Sequence, residues 1–367
     1  MNHYCTYFDR GFLIQGLALW RSLAAHDPDA VLWVLALDDF TAAVLRETGG
    51  TWMKVVTLAE LEEGDAALLE AKTNRTSVEY IFTLSPCWPR WILTKKPEVD
   101  RITYVDADMF FFGDTAGIFA ALEAASASVL ITAHRFPAGL SHYAQHGKFN
   151  VGILVFKNDV AGRGCLDDWR GRCLAWCHDR LEDGKYADQR YLDGWPERLG
   201  AALLVLPDAH VNLAPWNWAA CRCEVRVEFV RNERTSSVKK TERVWVDGRP
   251  LLLFHFARFR PLVGTWWWQS GQVDYGVMPR RLRNAIYGPY WRALVQARAE
   301  IGARREGFDF PPRGARLGRN FWRGLPLRVV FGGDWLRLGA TFHSGRCGLG
   351  RWSGQALAKL RTIFLRA

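Results

Sequence analysis

The sequence predicts an α/β protein built on a mostly parallel central sheet with helices on both faces. Three observations carry this. Strand and helix signals alternate through the first half of the chain, the rhythm that feeds parallel sheets. Val31–Leu37 is an unbroken apolar run, as a strand covered on both faces requires. Acidic residues follow the strand signals at Asp9, Asp38-Asp39 and Asp106-Ala107-Asp108, at the carboxyl edge where such sheets bind ligands.

Taken in order, residues 2–8 read as a strand rich in aromatic side chains. Phe12–Ala25 follows as a helix, with Leu13, Leu17, Trp20 and Leu23 at helical spacing. After the Val31–Leu37 strand, Thr41–Glu47 is helical, Val55-Val56 marks a third strand and Leu58–Lys72 a further helix. Ser77–Leu93 reads as a helix interrupted by Pro86 and Pro89. Arg101–Val105 is a strand running straight into Asp106. Ser126–Arg135 and Phe149–Phe156 are strands, Gly164–Arg180 a helix, and Leu203–Leu206 and Leu251–Phe256 short strands. Between the last two, Cys223–Val246 alternates apolar and polar residues, as one or two antiparallel hairpins do. The character changes near residue 265, so the chain divides into a catalytic-size unit at 1–265 and a basic, Trp/Arg-rich extension at 266–367.

Composition narrows the class. Hydrophobic residues make up 49% and charged residues 23%, as in ordinary globular proteins, but 18 Trp is an unusual supply of flat aromatic surface. The formal charge of +10 concentrates toward the C-terminus, which favours anionic partners. No helix-turn-helix or zinc-finger signature accompanies that charge, so nucleic acid is not an expected partner. The eight Cys show no regular spacing and read as free thiols of a reducing compartment. A zinc site from Cys173, Cys177, His178, Cys221 and Cys223 is the less favoured alternative. The first residues lack a secretory leader and no uncharged apolar run reaches membrane-spanning length, so a cytoplasmic location is expected. Leu357–Leu365 has helical spacing with a basic face, suited to peripheral contact at the inner membrane face.

The chemistry centres on Tyr104-Val105-Asp106-Ala107-Asp108-Met109-Phe110-Phe111. Apolar flanks on both sides of two carboxylates make unpaired charge costly, which calls for a cation or strong hydrogen bonds. Alternate residues of an extended segment point the same way, so both acids can face one ion. A divalent metal with oxygen ligands would satisfy them and leave positions for phosphate oxygens.

This strand-Asp-x-Asp pattern resembles the DxD motif of GT-A glycosyltransferases. The layout is similar to the family containing glycogenin and the bacterial lipopolysaccharide galactosyltransferases, over about residues 2–262. The resemblance implies a Rossmann-like GT-A fold and sugar transfer from a nucleotide-diphosphate sugar, a UDP-sugar being favoured. The acceptor it implies is a glycan or lipid-linked glycan, with retained anomeric configuration. It places Thr6, Phe8 and Asp9 near the base or ribose, and Tyr104, Asp106, Ala107 and Asp108 at the metal motif. Asn150 and Gly152 match the family's Asn-x-Gly segment beside the donor sugar. Asp188 and Gln189 match the pair that bonds sugar hydroxyls, with Asp188 nearest the reacting carbon. His255 matches the third metal ligand, and an imidazole beside two carboxylates suits Mn²⁺ somewhat better than Mg²⁺. The segment after His255 departs from the family's glycine and Lys-Pro, offering Arg258 and Arg260 as a diphosphate clamp. Arg75 is a further candidate for donor contact. The alternatives are a sugar-nucleotide hydrolase or nucleotidyltransferase on the same fold, or a basic membrane- or nucleic-acid-binding module.

Overall fold

The computed structural model describes residues 1–231, 238–261, 266–268, 275–305 and 335–337. Its frame is a seven-stranded sheet. The strands are Asn2–Phe8 (β1), Ala30–Ala36 (β2), Met53–Thr57 (β3), Arg101–Val105 (β4), Val129–Ala133 (β6), Phe149–Lys157 (β7) and Leu203–Leu206 (β8). Their spatial order is β3-β2-β1-β4-β7-β6-β8. All pairings are parallel except those of β7, which runs against both β4 and β6. The expected mostly parallel α/β sheet is therefore present, and its one reversed strand lies beside β4. That reversal sets the start of β7, with Asn150 and Gly152, against the end of β4, with Asp106.

Helices cover both faces because both faces are apolar. Every residue of β2 is buried, as its continuous apolar run requires. On one face Leu13–His26 (α1) packs so closely on β1 that a Cβ at Gly16 would lie 2.3 Å from the Phe8 ring. On the other face lie Ser77–Lys95 (α5) and Val160–Ala175 (α7). The smaller helices α2 (Asp39–Thr48), α3 (Leu58–Glu62), α4 (Ala66–Thr73), α6 (Ala116–Ala124) and α8 (Trp195–Leu199) fill the connections.

α5 starts at a capping box, in which the Thr76 side chain meets the Glu79 backbone N–H and Glu79 reaches back to Thr76. It does not break at its prolines. Pro86 and Pro89 are both buried within one continuous helix, so tertiary packing overrides the local penalty. α7 in turn stops at Ala175, short of the expected Arg180. The residues after it form a loop that delivers Asp188 to the carboxyl edge of the sheet.

Two short strands that were not foreseen flank a third, which lies within the expected Leu251–Phe256 strand. Met109–Phe111 (β5) pairs antiparallel with Leu253–His255 (β13), which also pairs with Val211–Leu213 (β9). Cys223–Arg231 (β10) and Val238–Val246 (β11) form the expected hairpin, with Arg249–Pro250 (β12) beside them.

Within the expected 266–367 extension, Arg280–Arg304 (α9) packs into the main core. Leu282, Ile286, Tyr290, Trp291, Leu294 and Ile301 are buried with α1, β5 and β13, and Tyr290 stacks on Phe256 at 3.8 Å. Arg21 of α1 pairs with Glu300 of α9. Pro289 is tolerated inside this helix as in α5. The expected amphipathic segment at 357–365 lies outside the described residues. Among those described, no helix is long and apolar enough to cross a membrane.

The buried aromatic face of α9 yields a stability prediction. Trp291→Ala should cost about 3–5 kcal/mol in urea unfolding, the loss expected for a large side chain removed from a packed core. A change near zero would show that the helix is peripheral to the fold.

Candidate metal and donor site

β4 ends at Val105, and the chain turns through Asp106, Ala107 and Asp108 into β5. Register fixes what meets that turn. Gly152 accepts the Asp106 N–H through its carbonyl at 3.0 Å, and Asp108 accepts the Phe256 N–H at 2.9 Å. The first bond comes from the β4–β7 pairing and the second from the β5–β13 pairing. Together they bring His255 over the two acids. Its Nε2 lies 3.1 Å from Asp108 Oδ1 and 3.6 Å from Asp106 Oδ2. One ligand atom from each residue lies within 4.8 Å of the others. Among the described residues this is the one group of His, Cys, Asp and Glu close enough to share a cation. The alternative grouping of Cys173, Cys177 and His178 with Cys221 and Cys223 does not form such a site.

The electrostatics suit a cation. Burial raises the Asp106 carboxyl, His255 opposes the rise, and Asp108 adds to it. The phenol of Tyr104 donates to Asp106 Oδ1 at 2.7 Å. Burial acts to lower His255, but the Asp108 and Asp106 carboxylates outweigh it and hold the imidazole above its ordinary range. Two acids and one imidazole, converging from different elements, form an oxygen-rich set with one nitrogen that fits Mn²⁺ or Mg²⁺. A cation entering here takes the place of the His255 Nε2 proton.

Gly152 matters through what it lacks. A Cβ there would lie 2.4 Å from Asn150 Oδ1 and 2.7 Å from His255 Nδ1, so only glycine lets the imidazole sit this deep.

Asn150 is buried beneath the imidazole. Its Oδ1 accepts from Gly152 N at 3.0 Å and from Asn212 Nδ2 at 2.9 Å, and lies 3.3 Å from His255 Nδ1. Its Nδ2 faces Gln189 Oε1 at 3.4 Å and His134 Nε2 at 3.3 Å. Burial first, then the neighbouring His255, pushes His134 down to about 3, so it is neutral and free to accept. Gln189 also donates to the His146 carbonyl at 3.2 Å.

Asp188 approaches from the loop after α7. Burial pushes its carboxyl up to about 7, against a bond from Ser85, and the charge of Asp106 adds to the rise. Tyr7 lies between these acids. Its hydroxyl is 2.8 Å from Ser85 Oγ and its ring 5.7 Å from that of Tyr104. Burial, then Asp188 and Asp106, hold its phenol well above the ordinary range. Tyr7 and Ser85 were not foreseen from the sequence. Strand alternation was the available signal, since Tyr7 shares a face with Cys5 and not with Thr6.

That alternation corrects two expectations. Thr6 and Phe8 point into the core beneath α1 with Tyr4, so neither side chain reaches the carboxyl edge. Asp9 is exposed at the end of β1 and caps the next turn, accepting from Gly11 N at 2.8 Å. Arg75 is also committed, donating to Thr83 Oγ1 at 2.9 Å and to the Leu174 carbonyl at 2.6 Å. It ties α5 to the end of α7 and is not placed as a donor clamp. Ala107 is buried between the two acids. Arg258 is exposed at a positive φ of 63°, with its guanidinium 5.3 Å from the Tyr275 ring centre. The Arg260 side chain lies outside the described residues, as does the chain from 262 to 265.

The segment His210–Trp218 contributes β9 and a packed floor. Trp216 Nε1 and Asn217 Nδ2 both donate to the His134 carbonyl at 3.0 Å, and the Trp216 ring lies edge-on to His255 at 5.2 Å.

No protein-family model matches the chain. Among solved structures it is similar to the galactosyltransferase LgtC in complex with donor and acceptor sugar analogs, at 15% identity. That match covers 70% of this chain and 87% of LgtC, with a TM-score of 0.46. It is also similar to mouse xyloside xylosyltransferase 1, at 15% identity over 58% of this chain and 87% of that one, with a TM-score of 0.38. In sequence it is 31% identical to the uncharacterized protein YfnD of Bacillus subtilis (strain 168), over 70% of this chain and 78% of that protein. The uncharacterized protein YfnF of the same strain is 33% identical over 264 residues, spanning 70% of this chain and 81% of its own. The chain belongs to the family of YfnF and YfnD.

Proposed function

We propose that the chain is a metal-dependent glycosyltransferase of the GT-A type. It moves a sugar from a nucleotide-diphosphate sugar, preferably a UDP-sugar, to a glycan or lipid-linked glycan, with retention. The observation that carries this reading is the convergence of Asp106, Asp108 and His255 at the carboxyl edge of the sheet. Such a set has a direct use when a sugar–diphosphate bond breaks, because negative charge then grows on the departing diphosphate. A divalent cation supplies Lewis-acid stabilisation of that charge. Asp106 and Asp108 would hold it from one side and His255 from the other.

The remaining residues take roles set by their chemistry. Asp188, raised to about 7 and close to Asp106, sits where a donor sugar would enter, and in its protonated form can donate a hydrogen bond. Gln189 offers an amide beside it. Tyr7 and Tyr104 bring two aromatic rings and their hydroxyls to the same group of acids. Arg258, at the mouth beside Tyr275, is suited to the diphosphate. The basic C-terminal composition is suited to a lipid-linked acceptor at the membrane surface.

Screening UDP-, GDP- and CDP-sugars by thermal stabilisation, with Mn²⁺ and with EDTA, tests the reading. Stabilisation by one nucleotide class that needs Mn²⁺, followed by transfer to acceptor, is the expected result. Free sugar released at the same rate with and without acceptor would instead mark a hydrolase. Asp106→Asn or Asp108→Asn should abolish Mn²⁺-dependent stabilisation and reduce transfer about 100- to 1,000-fold, the cost typical of losing one charge-stabilising group. Full turnover in either variant contradicts the assignment.

Asp188 adds a pH test. Its folded value of about 7 lies above the 3.8 of an exposed carboxyl. The protonated group's contribution to stability is therefore complete below 3.8 and lost as pH rises through about 7. In EDTA, Asp188→Asn should exceed the wild type in stability at pH 8 by on the order of a few kcal/mol. That margin should shrink as pH falls toward 4, measured by urea unfolding. A margin independent of pH would show that the carboxyl is not raised.

A further inference from the structure

Asn150 matches a segment associated with contact to the donor sugar, yet its amide is already engaged. The backbone N–H of Gly152 can only donate, and it lies 3.0 Å from one amide atom of Asn150, which must therefore be the oxygen. The amide of Asn212, itself donating to Thr132 Oγ1 at 2.7 Å, approaches the same oxygen. The third group at this oxygen is His255 Nδ1, at 3.3 Å. An amide oxygen fixed in this way accepts only, so it selects the ring form with hydrogen on Nδ1. The opposite nitrogen, Nε2, faces Asp108 and Asp106. A cation between the acids needs a lone pair at Nε2.

We propose that Asn150 is a positioning residue that acts through His255. It holds the imidazole in the tautomer and orientation that leave Nε2 free for the cation. This rests on the metal-site reading above. Gly152 supplies the clearance and Asn212 fixes the amide. His134 and Gln189 face the amide nitrogen on the other side. A ring nitrogen turned away from a metal and tied to a fixed acceptor raises ligand basicity, and loss of such a partner typically costs about 10- to 100-fold in affinity.

The test titrates Mn²⁺ alone against the full chain and follows the free ion by electron paramagnetic resonance. Asn150→Ala should weaken uptake about 10- to 100-fold. Asn150→Asp keeps an acceptor for Nδ1–H and should bind Mn²⁺ at least as well as the wild type, although it loses the donor to Gln189. In ¹⁵N-histidine spectra of the Mg²⁺-saturated protein, His255 should carry its proton on Nδ1 in the wild type and Asn150→Asp. It should lose that single tautomer in Asn150→Ala. Should the alanine variant fail to fold, Asn150→Leu removes the acceptor while keeping the volume. Unchanged Mn²⁺ affinity and an unchanged His255 tautomer in the variant lacking the acceptor overturn the proposal alone. Absence of Mn²⁺ uptake by the wild type overturns the metal reading and this inference with it.

Discussion

Two carboxylates facing one notch repel each other, and the surrounding structure is arranged around that repulsion. Asp106 and Asp108 are both partly covered by protein, where like charges interact more strongly than in water. The chain answers with one hydrogen bond and one imidazole. Tyr104 donates to Asp106, and His255 lies against both acids. Neither balances two full negative charges when the imidazole is neutral. A divalent ion does, and the three ligand atoms, two from the turn after β4 and one from β13, lie close enough together to share one.

That approach depends on two pairings of different kinds. The reversal of β7 beside β4 is a property of the main sheet, and it sets Gly152 under the turn after β4. The pairing of β5 with β13 belongs to a second, smaller sheet that joins residues 109–111 to residues 253–255. Their meeting point is the Asp106–Asp108 turn. α9 then braces the small sheet from behind, with Tyr290 stacked on Phe256 directly after His255. Tyr290, nearly three turns into α9, thereby helps to fix the position of His255.

The main sheet was legible because its signals are local. The apolar run at Val31–Leu37 and the strand-to-acid junction at Val105-Asp106 each follow from a few neighbouring residues. β5 and β9 were not legible, since three residues carry too little pattern, and their pairing is decided by contacts far away in sequence. The continuity of α5 through Pro86 and Pro89 was hidden for a similar reason, because burial between sheet and α7 outweighs the local cost. At the site, apolar flanks singled out Asp106 and Asp108, the resemblance added His255, and the fold brings the three together. Facing was the weaker inference. Thr6 and Phe8 were selected by resemblance, but the strand's alternation turns them under α1 and presents Tyr7 instead. The role of α9 was masked by its arginines, whose charge dominates the composition while Ile286, Tyr290, Trp291 and Leu294 form a buried stripe.

The floor beneath the site differs in kind from its rim. Below His255, Asn150, Asn212, Asn217 and Trp216 are buried and bonded to one another or to backbone carbonyls. Asn212 holds a positive φ of 70°, a conformation asparagine tolerates better than most residues, and from it bonds both Asn150 and Thr132. Buried polar groups are costly unless paired, so a connected set of this kind has few alternative arrangements. Above it, Asp9 and Arg258 are exposed. The ordering cost of the ligand-holding imidazole is thus met when the chain folds and not when a ligand arrives, which is the physical content of preorganisation. Residues at the rim can then vary without disturbing the arrangement of Asp106, Asp108 and His255.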